Sequence, residues 1–281
     1  MIIAEACGNW AGNKDVLWDM VKIASECGAD FFKVQTFYAK DLSPEWSHTK
    51  DRIKSLELTD EDHAYLVKLC RENEIEPMTS VYSPEYLPML GEVGMKYIKL
   101  GSPQATDNNL LRLTKAFGFK VIVSTGGTPL NKLPISYPVD GVLHCVSKYP
   151  HTLRESNLSR MVELRGRYPN TNIGFSDHSD PTHPHNWNTA SVIAMQLGAK
   201  YIERHFTILD REDTKDGPAS ITPDQLKFLC EVDQSEYKNS QFLYSCGIVS
   251  KQTKEELDLI NNYRGRWNEF DYTVGQDTER P

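Results

Sequence analysis

Glu203, Arg204 and His205 stand in a row near the end of the apolar stretch AKYIERHFT (residues 199–207), where a buried strand would otherwise stay apolar. The same habit recurs along the chain. Lys33 and Gln35 lie in FFKVQTF, Lys99 and Ser102 in YIKLGSPQ, and Ser124 and Thr125 in VIVSTGG. Ser147 and Tyr149 follow in HCVSKYP, and Ser176, Asp177 and His178 in IGFSDHS. An ammonium on an apolar strand is costly unless paired, so Lys33 and Lys99 each need an anion, either a carboxylate or a bound ligand. Serine and threonine hydroxyls at neighbouring strand ends supply the hydrogen bonds that a phosphate or carboxylate takes. His178 and His205 can share one divalent ion through imidazole nitrogens. His183 and His185 in DPTHPHNW offer further nitrogens, on a proline-rich loop that reads as exposed. A single strand lysine can equally be satisfied by a salt bridge, and a single histidine by a core hydrogen bond. The argument therefore rests on the set.

One pattern positions these residues. ECGADFFKVQ, EVGMKYIKLG, AFGFKVIVST and QLGAKYIERH each run from a helix-like stretch through a glycine into an apolar strand. The glycine suits a helix C-cap, and short apolar strands alternating with amphipathic helices predict parallel strands buried on both faces. Eight strands are expected, at residues 2–7, 31–37, 76–82, 97–102, 121–125, 141–147, 172–177 and 201–207. Helices are expected near 14–27, 60–73, 84–93, 107–117, 157–167, 186–197 and 223–235. GGTPLNKLPISYPVDG is too rich in proline and glycine for a helix and predicts an irregular connection. The fold class is α/β, a (β/α)₈ TIM barrel, whose chemistry gathers at the C-terminal ends of its strands. A doubly wound sheet fits less well, since no GxGxxG turn follows the first strand. The expected organisation is one barrel domain over residues 1–247, then a C-terminal helix packed outside it and a flexible tail over 248–281.

Composition narrows the function class. A net charge of −8 argues against general nucleic-acid binding, which needs clustered cations, but not against a small anion held by a few lysines. No apolar run approaches the ~20 residues that span a bilayer, and MIIAEACGNW lacks the marks of a signal peptide. The six cysteines have no CxxC spacing and several lie in apolar segments, so they read as reduced thiols of a cytoplasmic protein.

Jointly, IIAEACGNWAGN, GADFFKVQTF, YIKLGSPQ, VIVSTGG, VLHCVSKYP, IGFSDHS and AKYIERHFT make residues 1–265 resemble the sialic acid synthase (N-acetylneuraminate synthase) family. The resemblance implies a transferase that joins phosphoenolpyruvate to an open-chain sugar aldehyde such as N-acetylmannosamine, releasing phosphate and a 2-keto-3-deoxy sugar acid. It implies that Lys33, Lys99, Ser124 and Ser176 hold phosphoenolpyruvate with help from Ser80, that Ser102 and Glu203 belong to the same site, and that Gln35 and Tyr149 face the acceptor. It implies a divalent metal, commonly Mn²⁺ with Mg²⁺ or Co²⁺ as alternatives, on His178 and His205. A homodimer is also implied.

The chain departs from the family pattern at several places. Trp10 stands where the family has histidine, and Ala11 where it usually has a polar residue. Gln104 replaces a common acidic residue, and a glutamine cannot exchange a proton at neutral pH. Ser147 replaces a common asparagine, and DGPASITP alters the segment after the eighth strand, with Asp216 a partial substitute. The sequence stops ahead of the family's antifreeze-like domain, so the expectation is either a chain without it or a piece of a longer one. These leave two other readings open. One is a barrel retaining an anion site without catalysis; the other is a different metal-dependent aldolase or isomerase.

Overall fold

The computed structural model describes residues 1–133, 138–182, 187–232 and 253–268. All eight expected strands are present: β1 Ile2–Glu5, β2 Phe31–Thr36, β3 Glu76–Val81, β4 Tyr97–Leu100, β5 Lys120–Ser124, β6 Gly141–Cys145, β7 Asn172–Asp177 and β8 Ile202–His205. They pair in sequence order, all parallel, and β8 returns to β1 to close the barrel. Around it lie α1 Lys14–Glu26, α2 Lys50–Ser55, α3 Asp60–Glu72, α4 Leu87–Glu92, α5 Asn108–Ala116, α6 Arg160–Arg167, α7 Thr189–Gln196, α8 Pro223–Glu231 and α9 Lys254–Arg264.

Local chemistry sets the helix ends. Thr59 and Asp62 form a reciprocal capping box at α3, and Thr222 with Gln225 does the same for α8, where Pro223 takes the first turn. Gly28 and Gly198, in the repeated helix–glycine–strand motif, have φ of +87° and +86°, the left-handed geometry that ends a helix. Helix α2 has no strong sequence signal. It buries only Ile53 and lacks a side-chain N-cap, so its existence depends on tertiary packing.

Side chains alternate across each strand, and that parity decides what the barrel encloses. Outward residues such as Ala4, Phe32, Val34, Ile98 and Phe175 pack against the helices. Inward residues at the strand starts, Ile3, Phe31, Met78, Ile122, Leu143 and Tyr201, form a separate apolar floor. Each such buried side chain contributes roughly 1.5–3 kcal/mol. Gly141 makes room for the Tyr201 ring, since a Cβ there would lie 2.9 Å from it.

The C-terminal helix is present as α9, and its position is specific: it lies against the turn after β4, across the C-terminal mouth. The boundary expected at residue 247 and the tail from 269 fall outside the described residues, as do His183 and His185. Among the described residues no helix is long and apolar enough to cross a membrane, and the described cysteines are unpaired.

Candidate active site

Two residues above the apolar floor, each strand presents its next inward side chain. There the character changes to polar: Glu5, Lys33, Ser80, Lys99, Ser124, Ser176 and Glu203 all line one cavity of ≈ 540 Å³ that opens at the mouth. Lys33 and Lys99 are 1% and 6% exposed, and both are paired. Lys33 contacts the Glu5 carboxylate, donates to Ser80 Oγ at 3.1 Å, and lies 3.6 Å from Glu203 Oε2. Lys99 binds Glu203 Oε1, which also accepts from Ser176 Oγ at 2.8 Å. Ser124 Oγ is buried without a partner among the described residues.

The electrostatics follow from this crowding. Burial pulls the Lys33 pKa down to about 7, against the opposing pull of Glu203. Burial works to raise the Glu203 carboxyl, but Lys33 and Lys99 outweigh it and hold the group well below the usual carboxylate range.

One further step up the strands lies the rim, where Gln35, Ser102, Ser147, Tyr149, His178 and His205 line the cavity. Ser102 Oγ accepts from the Gly126 N–H at 3.0 Å, and Ser147 Oγ is buried without a partner among the described residues. The Tyr149 ring stacks on His178 at 3.8 Å and meets His205 edge-on at 5.6 Å, while the two histidine rings lie 5.1 Å apart. His178 donates from Nδ1 to Val146 O at 2.8 Å, and burial lowers its pKa to about 3, leaving Nε2 as a neutral acceptor. Burial, then neighbouring His178, lowers His205 well below its ordinary value.

Two expected site residues are not in this cavity. Asp177 follows Ser176 and precedes His178, so parity turns it outward. There it pairs with Arg204 at 3.0 Å and accepts from Ser191 Oγ at 2.6 Å and the Ser179 N–H at 2.8 Å. Arg204, flanked by Glu203 and His205, faces out for the same reason. The row of three ionisable residues thus splits between two sides of the wall. Gln104 ends the 3₁₀ turn Ser102–Gln104, lies beside Gly101, and is absent from the cavity lining; its Oε1 is buried without a partner among the described residues. Neither residue lines the cavity.

Other wall residues went unnoticed in the sequence. Glu5 shares the inward parity of Ile3, and that rule would have found it; Cys7 lies in the turn just beyond β1. Cys7 Sγ lies 2.9 Å from Asp216 Oδ2, and these two with His205 place a thiol sulfur, an imidazole nitrogen and a carboxylate oxygen within 4.8 Å of one another. Asp216 is held there by its own loop: Ser220 Oγ donates to Asp216 O, and the buried Asn9 amide donates to Ser220 Oγ and to Phe206 O. Trp10, at a position where the family pattern differs, is a core side chain whose Nε1 donates to Cys7 O at 3.0 Å. Tyr263, Arg266 and Trp267, from and just beyond α9, close the outer wall.

Comparison with known proteins identifies the family and agrees with the fold. The NeuB family profile matches residues 20–240. The chain belongs to the NeuB family. N,N'-diacetyllegionaminic acid synthase of Campylobacter jejuni is 30% identical over 288 aligned positions, covering 94% of this chain and 83% of that one. Pseudaminic acid synthase of the same species is 28% identical, covering 82% and 71%. Among solved structures, the N-acetylneuraminic acid synthetase of Leptospira borgpetersenii superposes with a TM-score of 0.76 at 24% identity, covering 93% and 90%, and shows the same fold.

Proposed function

We propose that this NeuB-family chain is a sugar-acid synthase of the transferase class. It condenses phosphoenolpyruvate with an open-chain sugar aldehyde and yields a 2-keto-3-deoxy sugar acid and phosphate. One observation carries the reading: two buried lysines and three serines, from β2, β3, β4, β5 and β7, converge in one layer of one cavity. A ligand bearing both a phosphate and a carboxylate matches that spacing of cations and hydroxyls better than a neutral sugar does. The family relatives named as legionaminic and pseudaminic acid synthases point to the same class of acid product.

The residues divide the work by height in the barrel. Lys33 and Lys99 exchange their carboxylate partners Glu5 and Glu203 for the anionic groups of phosphoenolpyruvate, with Ser80, Ser124 and Ser176 donating to its oxygens. Above them Gln35, Tyr149 and the α9 wall face the acceptor. Carbon 3 of the enol attacks the aldehyde carbon, the C2–C3 π pair forming the new bond. Water then adds to C2, and the C2–O bond to phosphate breaks. The two lysines neutralise charge on phosphate and carboxylate throughout, from buried positions below the mouth. Holding two reactants in line supplies a further part of the rate. A divalent ion fits the rim, where His205 Nδ1 is buried and unpartnered among the described residues, and when bound it would polarise the acceptor carbonyl as a Lewis acid.

The test is thermal stability with phosphoenolpyruvate for the parent and for Lys99→Ala, followed by phosphate release across a panel of aldoses. Ligand at about a hundred times Kd stabilises by roughly 2.7 kcal/mol. A shift in the parent that vanishes in the variant is expected, with phosphate released by at least one aldose. No shift in either chain would remove the donor site, and a shift without turnover on any aldose would leave only an anion-binding barrel.

A further inference from the structure

Three cations that line the cavity at its mouth, Arg52 on α2, Lys215 in the loop after β8 and Arg266 just beyond α9, make no ion pair among the described residues. Composition does not explain this, since the chain carries a net charge of −8 and elsewhere Lys14, Lys96 and Lys148 pair with Asp62, Glu76 and Glu155. Asp213 and Asp216 share the cavity lining but pair with none of the three, and Asp216 Oδ2 meets Cys7 Sγ instead. Arg266 anchors the group. Its guanidinium carbon lies 5.2, 5.8 and 5.3 Å from the ring centres of Trp46, Tyr263 and Trp267, and its Nε is buried without a partner among the described residues. Ring contacts occupy the faces of a guanidinium and leave its N–H donors unused. Lys215 reaches the same Tyr263, with Nζ 5.7 Å from the ring centre and donating to the hydroxyl at 3.3 Å. Burial lowers the Arg266 pKa, and the neighbouring Arg52 charge works in the same direction. Like charges held this close repel until an anion stands between them.

Position decides which anion this is. The lysine layer lies deep in the barrel, and in the condensation reading the acceptor's aldehyde carbon must reach down to carbon 3 of the enol. The other end of the acceptor then points to the mouth, where the three cations stand. We infer that Arg52, Lys215 and Arg266 form a subsite for an anionic group on the acceptor, at the end remote from its aldehyde. The acceptor class is then an anionic aldose, either a terminal phosphate ester or a uronate. A planar guanidinium takes either group through paired N–H donors, and a lysine adds a point charge. The inference rests on the condensation reading for the direction of the aldehyde, but its test reads binding rather than turnover, so the two can fail separately.

The experiment is calorimetric titration of the full chain with mannose, mannose 6-phosphate and mannuronate, which differ only at carbon 6. Saturating 2-phospholactate, which has no enol carbon and cannot condense, is present throughout to fill the lysine layer. At least one of the two anionic sugars is expected to bind about tenfold or more tightly than mannose, and which of them leads separates phosphate from carboxylate. The preference should shrink toward one in Arg266→Gln and survive in part in Arg266→Lys. Lys215→Gln alters an exposed side chain, so it keeps the fold and should lower the preference by a smaller factor. Added salt should lower it too, because the mouth is open to solvent. Equal affinity for the three sugars, or no measurable binding of any, overturns the assignment. So does a preference that survives Arg266→Gln and Lys215→Gln but is lost in Lys99→Ala, which would put the anion in the lysine layer. Phosphate released from phosphoenolpyruvate by neutral aldoses alone would also overturn it, while leaving the condensation reading intact.

Discussion

Glu203 on β8 and Lys33 on β2 flank β1, and their charged atoms lie 3.6 Å apart inside the barrel, with the second Glu203 oxygen committed to Lys99 on β4, across the barrel. One carboxylate therefore serves two buried ammonium groups, of which Lys33 has Glu5 as a second partner and Lys99 does not. Among the described residues Lys99 has no other carboxylate within ion-pair reach. Glu203→Gln should destabilise the chain by about 3–5 kcal/mol in ligand-free buffer, because it leaves buried charge unpaired. Phosphoenolpyruvate or inorganic phosphate should recover part of that loss, and more of it than it adds to the parent. Urea denaturation with and without the anion checks both statements. A variant as stable as the parent would show that the lysines are neutral or hydrated rather than held by Glu203.

The depressed Lys33 pKa makes a signed prediction about pH. Below about 7 the free site holds Lys33 as a cation ready for an anion. As pH rises through that value the free protein loses the proton, while the bound anion favours keeping it. Binding must then take up a proton, and affinity for phosphoenolpyruvate falls by up to about tenfold per pH unit above neutrality. Lys33→Arg, charged at every accessible pH, should bind with a flatter profile. Calorimetric Kd values from about pH 7 to 9 decide it, and a flat parent profile would contradict the role given to burial.

Asp177 and Arg204 give the contrasting case of buried charge without chemistry. Their pair lies behind the barrel wall, against Ser179, Ser191 and Trp187 O. Asp177→Asn should lower stability by about 3–5 kcal/mol through the uncompensated guanidinium. At temperatures where the variant is folded, kcat and both KM values should stay within about twofold of the parent, an insensitivity that a substrate-binding aspartate would not show.

Asp177 also shows how far the sequence could be read. Repeated helix–glycine–strand units and apolar strand runs made the closed barrel and all eight strands legible, because they are local signals of parallel strands. The polar layer was legible too, since a lysine among apolar strand residues is conspicuous. What the sequence reading lacked was parity. Counting in twos from Ile3 would have brought Glu5 into the cavity, and counting from Gly174 and Tyr201 would have turned Asp177 and Arg204 out of it. Gln104 and Asp216 were beyond that rule: they sit on turns, whose direction depends on tertiary packing. Position in the strand was readable; direction in the loops was not.

The mouth supplies the last test. Glu256, buried at the start of α9, accepts from the Gly127 and Ser147 N–H groups at 3.1 and 3.3 Å and so fastens the helix to the ends of β5 and β6. Gly127 permits the approach, for a Cβ there would lie 2.4 Å from Ile260. Farther along, Arg264 donates to Thr128 Oγ1 at 2.9 Å, and the Arg266 guanidinium lies over Trp46, Tyr263 and Trp267. This wall stands above the lysine layer, on the side that the proposed function gives to the acceptor. Glu256→Ala leaves two backbone donors without their acceptor, at a cost of about 1–3 kcal/mol each where they stay buried. It should loosen α9 and raise the acceptor KM by about tenfold or more, a loss of at least about 1.4 kcal/mol in transition-state binding, while the phosphoenolpyruvate Kd stays within about twofold. Arg266→Ala should act in the same direction with a smaller loss of stability, since it gives up ring contacts but strands no buried backbone donor. Steady-state kinetics against each substrate, beside melting curves, separate the two variants. Equal weakening of both substrates would place α9 over the whole cavity and remove its special tie to the acceptor.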